Sequence, residues 1–111
     1  LSDAGYSPQK ISKLVTGDMR EEGKLFLDQI ISSSVDVDKM DFIIRDSYHT
    51  GAEYGYVDIF RLIYTMDVLN GNLSVDLTAL SSLEAFILAR IESFKSIYFH
   101  KVARAVQIML L

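Results

Sequence analysis

Residues 36–51 read DVDKMDFIIRDSYHTG and form the most informative segment of the chain. Asp36 occupies an N-cap position, since its carboxylate can accept bonds from the first free N–H groups of a helix. Gly51 stands where a left-handed residue commonly ends a helix. Apolar residues between them recur every three or four positions, so the segment predicts a helix over residues 37–49.

One face of this predicted helix is polar. It carries Asp38, Phe42, Arg45 and His49 in one stripe, with Asp46 beside them. Because a protein core does not accommodate this many charged groups, the face must meet solvent, a cleft or a partner. Two interpretations stay open at this point, a solvated face with ion pairs or a binding surface.

The flanking sequence is typical of further helices and one hairpin. Ser7-Pro8 is a helix opening, Asn70-Gly71 is a two-residue hairpin signal, and Gly and Pro are absent after Gly71. The predicted elements are a short helix ending at Gly17, a helix over 18–31, a loop over 52–56, a buried helix over 57–66, a hairpin near residues 67–76, and one long helix or two stacked helices over 80–111. We therefore expect an all-α, mainly helical protein with one small β-hairpin.

Composition excludes several function classes. The chain has 111 residues, a net charge of −4 and no cysteine, so we expect one unit over residues 1–111 without disulfides or thiolate metal sites. An acidic chain without Lys/Arg runs does not predict binding to duplex nucleic acid or to anionic membranes. Without a bilayer-length apolar run or a signal-peptide pattern, we expect a soluble, cytoplasmic location.

A second candidate surface lies near the C-terminus. Arg90, Phe94, Tyr98 (or Ile97) and Lys101 recur at helical spacing, and two cations beside two aromatic rings would suit a nucleotide. The same stripe also describes an ordinary amphipathic helix whose cationic stems cover core aromatics. The residues alone contain no Gly-rich phosphate loop, no nucleophile elbow and no complete catalytic constellation.

Three segments in order resemble the HD-domain phosphohydrolases, in the branch that contains the deoxynucleoside triphosphate triphosphohydrolases. They are DVDKMDFIIRDSYHTG, then Tyr54-Gly55 with Asp58 and Arg61, then Arg90 followed by YFHKVAR at 98–104. The resemblance covers roughly residues 32–110. It implies an HD-domain-like helical bundle and a metal-dependent phosphohydrolase that acts on a nucleotide.

The resemblance also implies roles for individual residues. Asp38 matches a metal-ligating Asp, Lys39 a phosphate-contacting cation, and Asp46 the carboxylate that reads the sugar hydroxyl. Arg90 and Tyr98 match an Arg and a Tyr that contact triphosphate and sugar.

The chain departs from the family pattern at two further positions, Phe42 and Phe94. Phe42 stands where relatives often carry Tyr, and Phe94 where animal members carry His, so two polar phosphate contacts are lost. Arg61 and Lys101 correspond more weakly to basic residues at a nucleotide effector site.

No His-Asp doublet occurs in the chain, and neither histidine precedes Asp38. Because the family's other metal ligands are a His and a His-Asp doublet, and the chain starts at Leu1, we expect the C-terminal part of an HD domain. The divalent metal (Mn, Mg, Fe, Ni or Zn) would then not be held by this chain alone, which would be inactive and carry no catalytic residue.

The alternative is a non-catalytic helical interaction or scaffold module. We further expect a homo-oligomer, because helices without their upstream neighbours expose apolar surface.

Overall fold

A computed structural model of the chain describes residues 5–18 and 23–110. It is mainly α-helical, with a single antiparallel hairpin in the described part, as predicted. The α-helices are α1 (Pro8–Thr16), α2 (Leu25–Ile31), α3 (Val37–Thr50), α4 (Ile59–Tyr64), α5 (Leu80–Ser93) and α6 (Lys101–Met109). The strands are β1 (Met66–Leu69) and β2 (Asn72–Val75), and shorter turns are 3₁₀-helical at Glu53–Gly55 and Leu77–Ala79 and π-helical at Phe94–Tyr98. No helix of the described residues is long and apolar enough to cross a membrane.

Both ends of α3 are set by local chemistry. The Lys39 N–H donates to Asp36 Oδ1 at 2.8 Å, and the Ser33 N–H donates to Oδ2 at 3.1 Å. At the other end Gly51 adopts a φ of 69° and its N–H bonds to the Ser47 carbonyl. A side-chain cap and a left-handed C-terminal residue satisfy backbone groups that a helix leaves free. The predicted helix over residues 37–49 is confirmed to within one residue.

The core joins α3, α4 and α5. Ile43, Leu62 and Phe86 contribute one fully buried side chain from each of these helices. Four further apolar side chains surround them, and each is either smaller or slightly less buried: Met40, Ile59, Ala79 and Ala89. Burying large apolar side chains gives most of the free energy that holds such a layer together, so this cluster fixes how the faces of α3 and α5 meet.

The hairpin is the predicted one, with β1 and β2 paired from Met66↔Val75 to Leu69↔Asn72. Asn70 and Gly71 have φ values of 52° and 78°, the two positive values that a twisted two-residue turn requires. The hairpin is fastened to α2, because the Phe26 N–H donates to the Gly71 carbonyl at 3.0 Å. Gln29 Oε1 also accepts from the Leu73 N–H at 2.6 Å.

Two predictions about individual helices were wrong. The helix expected from residue 18 begins at Leu25, and residues 19–22 of that segment lie outside the described residues. The helix expected over 57–66 runs only from Ile59 to Tyr64. Thr65 follows the helix with a φ of −102° and a ψ of 1°, its hydroxyl bonds back to the Arg61 carbonyl at 2.7 Å, and Met66 begins a strand.

The same short helix is not buried all round. Phe60 is 72% exposed and Tyr64 is 84% exposed, whereas Ile59 and Leu62 are buried. A helix of six residues that packs on α5 covers only one of its sides. The apolar composition of residues 57–66 therefore predicted more burial than this helix has.

The C-terminal segment consists of two helices. After α5 the chain makes the π-helical turn, and His100 then takes an extended conformation with ψ of 128°. Since an extended residue cannot continue a helical ladder, α6 starts anew at Lys101. Of the two alternatives for residues 80–111, the structure has two helices.

Candidate functional site

The polar side of α3 meets the C-terminal end of α5 and the π-helical turn. We call this surface the α3–α5 face and define it by Phe42, Asp46, Arg90, Phe94 and Tyr98. Its central contact joins residues 52 positions apart, since the Tyr98 hydroxyl donates to Asp46 Oδ2 at 3.1 Å. Asp46, which the family resemblance assigned to the sugar, and Tyr98, which it assigned to triphosphate and sugar, are thus in direct contact.

Aromatic packing holds the Tyr98 ring. The Phe42 ring lies edge-on to it at a centroid distance of 6.4 Å, and the Phe94 ring lies 5.4 Å away. Edge-to-face and tilted pairs at these distances are favourable arrangements for aromatic rings. Tyr98 ends the π-helical turn, a local geometry that recurs at functional sites. Phe42 and Phe94 therefore act as packing partners of Tyr98.

The bond to Asp46 has an electrostatic consequence. Burial raises the pKa of Tyr98 above its ordinary value, and the hydrogen bond to Asp46 and its negative charge raise the pKa further. Both effects disfavour the phenolate form. Tyr98 therefore stays protonated at neutral pH and serves as a donor to the carboxylate.

Arg90 lies at the other edge of this face. Its Nη1 donates to the Ser34 carbonyl at 3.3 Å, in the loop that precedes α3. A cavity of about 460 Å³ opens here, and its walls include Val35, Phe86, Ile87 and Phe94 beside Ser34 and Arg90. Because the partner of Arg90 is an uncharged carbonyl, this contact leaves the guanidinium charge uncompensated next to an apolar cavity.

Lys39 is engaged within the chain. Its ammonium binds the carboxylate of Asp36, a side chain that is only 2% exposed. Burial opposes ionisation of Asp36, but the bonds from the Lys39 ammonium and from the N–H groups of Lys39 and Ser33 outweigh it and lower the pKa of Asp36. A phosphate contact by Lys39 would have to compete with this pair, which the sequence reading did not anticipate.

Asp38 lies exposed in the first turn of α3. Within residues 5–18 and 23–110, no three side chains of His, Asp or Glu come together in a way that could hold a metal ion. A single carboxylate does not bind a divalent cation firmly without further ligands. The described residues therefore do not provide a metal site by themselves.

The remaining candidates are not among the residues that define the α3–α5 face. Arg45 pairs with Asp41 at 3.0 Å, so the solvated-face interpretation applies to this part of α3. Arg61 donates to the Thr78 carbonyl at 2.8 Å, and Lys101 is exposed at the start of α6. Among the described residues, no hydrogen bond or ion pair joins Arg61 to Lys101.

The roles of two residues next to the α3–α5 face were missed by the sequence analysis. Ser34 contributes only its backbone carbonyl, which every residue possesses. Asp36 was recognised as a helix cap, but its second function as the partner of the Lys39 ammonium follows from side-chain geometry. A basic residue three positions after the cap was the one available hint.

Comparison with known proteins places these elements in a wider context. Residues 57–111 match the family described as HD associated region. The chain is 28% identical over 103 residues to the uncharacterized protein YwfO of Bacillus subtilis, covering 93% of this chain and 23% of that protein. It is 30% identical over 103 residues to the deoxynucleoside triphosphate triphosphohydrolase SAMHD1 homolog of Dictyostelium discoideum, covering 90% of this chain and 20% of that protein.

Two solved structures share the fold. A hypothetical protein from Aquifex aeolicus superposes with a TM-score of 0.86 and 34% identity, over 97% of this chain and 30% of that one. A phosphohydrolase from Bacteroides thetaiotaomicron superposes with a TM-score of 0.73 and 30% identity, over 80% of this chain and 21% of that one. The chain spans about a fifth of the length of the curated relatives that it matches.

Proposed function

The chain is related to the HD-domain phosphohydrolases, and from this relationship we propose that it forms part of a metal-dependent enzyme that hydrolyses a nucleotide, of the deoxynucleoside triphosphate triphosphohydrolase type. The α3–α5 face would bind the substrate. Asp46 and Tyr98 would contact the sugar, and Arg90 and Lys39 would contact phosphate.

The observation that carries this proposal is the bond between Tyr98 and Asp46. It orients one carboxylate oxygen of Asp46 and leaves the other able to accept from a ligand hydroxyl. Arg90, at the other edge of the face, supplies a positive charge that is not cancelled by its carbonyl partner. A carboxylate that can accept from a hydroxyl at one edge of the face and an arginine at the other suit a ligand with a sugar and a phosphate.

We further propose that Asp38 is this chain's contribution to a metal site. Its position in the first turn of α3 leaves the carboxylate accessible, and hard oxygen ligands suit divalent cations. The other ligands would come from parts of the longer protein outside this chain. In such enzymes a bound divalent metal polarises a phosphoryl oxygen or activates water.

The test uses the full-length protein that contains this chain, with Mn²⁺ or Mg²⁺ and a panel of deoxynucleoside triphosphates. We expect Asp38→Ala to lower kcat/KM by about a thousandfold or more, because a lost ligand removes the metal. Asp41→Ala is the matched control, an exposed carboxylate on the same helix, and should change kcat/KM by less than about threefold. Tyr98→Phe should mainly raise KM, by about tenfold, since it removes one orienting bond.

Release of phosphate or triphosphate is the readout. Absence of hydrolysis with every metal and nucleotide, or full activity in the Asp38→Ala variant, would contradict the proposal. The 111-residue chain alone should be inactive, so robust turnover by it would contradict the proposed division of the metal ligands.

A non-catalytic scaffold is the second candidate function. It is favoured by Phe42 and Phe94, which place apolar rings where polar substrate contacts are expected in the family, and by the exposed apolar side chains of α6. The full-length sequence distinguishes the two functions. An upstream His followed by a His-Asp doublet supports the enzyme, and their absence supports the scaffold.

A further inference from the structure

The two cations that we expect to contact phosphate differ in their partners. Arg90 donates to the Ser34 carbonyl, an uncharged acceptor that leaves the positive charge uncompensated. Lys39 instead forms an ion pair with the carboxylate of Asp36, a residue that is only 2% exposed. The Lys39 side chain is itself only 22% exposed, so its ammonium is held against the protein. The charge of Lys39 is therefore already compensated within the chain.

The carboxylate of Asp36 does not depend on this ammonium alone for its hydrogen bonds. Oδ1 accepts from the Lys39 N–H at 2.8 Å, and Oδ2 accepts from the Ser33 N–H at 3.1 Å. Each oxygen therefore keeps a backbone donor when the ammonium turns away, so the cap of α3 survives and no buried acceptor is left without a hydrogen bond. The ion pair can open without unfolding the start of the helix.

A phosphorylated ligand has the charge needed to open this pair. A terminal phosphate group carries about −1.5 to −2 units of charge at neutral pH, more than a carboxylate. Arg90 provides a first contact close by, because its partner Ser34 lies two positions before Asp36. Lysine carries its charge on a flexible four-carbon stem, so the ammonium can reach a second acceptor by rotating about its side-chain bonds. The free energy of the bond to Asp36 is then subtracted from the free energy of ligand binding.

We propose that Asp36 sets the phosphate affinity of the site by competing with the ligand for the Lys39 ammonium, an inference that rests on the function proposed above. Without phosphate, Lys39 is paired with Asp36. When a phosphorylated ligand binds, the ammonium moves to the phosphate and Asp36 keeps its two backbone donors. Asp36 thereby weakens phosphate binding and favours ligands that carry more negative charge than a carboxylate does.

The first test measures the binding of tripolyphosphate to the full-length protein by isothermal titration calorimetry, with Mn²⁺ or Mg²⁺ present. We expect Asp36→Asn to lower the dissociation constant at least about fivefold, because Asn keeps a capping oxygen but forms no ion pair with Lys39. This variant is expected to be less stable than the wild type, so tighter binding cannot result from unfolding. An unchanged or raised dissociation constant would overturn the proposal.

Two comparisons separate competition for Lys39 from a general change of charge. Asp41→Asn removes one negative charge from the exposed side of the same helix and should change the dissociation constant by less than about twofold. In a Lys39→Met background, Asp36→Asn should also change it by less than about twofold, since no ammonium remains to compete for. An equal decrease with and without Lys39 would overturn the proposal.

The Lys39→Met variant alone distinguishes this inference from the proposed function. If it weakens tripolyphosphate binding while Asp36→Asn has no effect, Lys39 contacts phosphate without competition, and only the present inference is wrong. If wild type and Lys39→Met bind tripolyphosphate equally, Lys39 does not contact phosphate, and its part in the proposed function is wrong as well. Urea unfolding of each variant establishes that the protein is folded under the conditions of the titration.

Discussion

Asp36 shows how one residue links the helix start to the site. Its carboxylate caps α3 through the Lys39 N–H, holds the Ser33 N–H of the preceding loop, and binds the Lys39 ammonium. The loop it holds continues to Ser34, whose carbonyl receives Arg90. A single buried carboxylate thus positions the groups on both sides of the candidate phosphate-binding region.

We predict that Asp36→Ala lowers the free energy of unfolding by about 2 kcal/mol at pH 7, since it removes the cap and leaves the Lys39 ammonium without its partner. Asp36→Asn keeps a capping oxygen and should cost about 1 kcal/mol. The exposed Asp41→Asn is the control and should change stability by less than about 0.5 kcal/mol. Urea unfolding measures all three.

The cost of Asp36→Asn should depend on pH. Because the pKa of Asp36 is lower in the folded chain than in the unfolded one, its charge stabilises the fold above the unfolded pKa of about 3.9. That contribution is lost as the pH falls through the folded pKa. Wild type and Asp36→Asn should therefore converge below about pH 4, and a constant difference down to pH 2 would contradict this.

The helices and the hairpin are delimited by chemistry at their ends. Ser7 and Gly17 delimit α1, Asp36 and Gly51 delimit α3, and Asn70-Gly71 turns the hairpin. Each of these features depends on a residue type at one position and on backbone groups within four residues. This locality explains why most of these boundaries could be predicted, whereas the start of α2, which has no side-chain cap, could not.

Gly51 offers a test of this point. A Cβ added there would meet no atom within 4 Å, but the residue has a φ of 69°. The cost of Gly51→Ala therefore comes from backbone conformation alone, about 1 kcal/mol of unfolding free energy. Gly51→Asn should cost less, because Asn tolerates the left-handed region. Equal losses for the two variants in urea unfolding would show that the conformation is not what limits stability.

At the scale of the whole molecule, a small core holds together a face assembled from distant segments. Ile43, Leu62 and Phe86 are fully buried and join the helices that carry Asp46 and Arg90. Large apolar side chains on α4 and α6, by contrast, are exposed. The free energy of unfolding should therefore depend on the buried residues more than on these exposed ones.

Phe86 and Leu88, both on α5, test whether the free energy of unfolding depends on burial of the side chain. Phe86 is 0% exposed and Leu88 is 62% exposed. Phe86→Ala should cost about 3–5 kcal/mol and Phe86→Leu less, since the smaller change leaves a smaller cavity. Leu88→Ala should cost less than about 1 kcal/mol. Thermal and urea unfolding measure the difference, and a similar cost at both positions would place the core elsewhere.

Local sequence patterns predicted the mainly helical class, the capped ends of α1 and α3, and the hairpin. These depend on residue types at short spacing, where backbone geometry leaves few alternatives. The family relationship was predicted from the resemblance of motifs. The resemblance of ordered motifs also predicted Asp46, Arg90 and Tyr98 as substrate-binding residues, and this remains a prediction.

Which of these groups meet depends on packing in three dimensions. The contact of Tyr98 with Asp46 spans 52 residues and that of Arg90 with Ser34 spans 56, so both depend on how α3 and α5 pack. The exposure of Phe60 and Tyr64 and the isolation of α6 likewise follow from which helix faces find a neighbour. Hydrophobic periodicity reports that a face is apolar, but the partner that covers it is determined by packing in three dimensions.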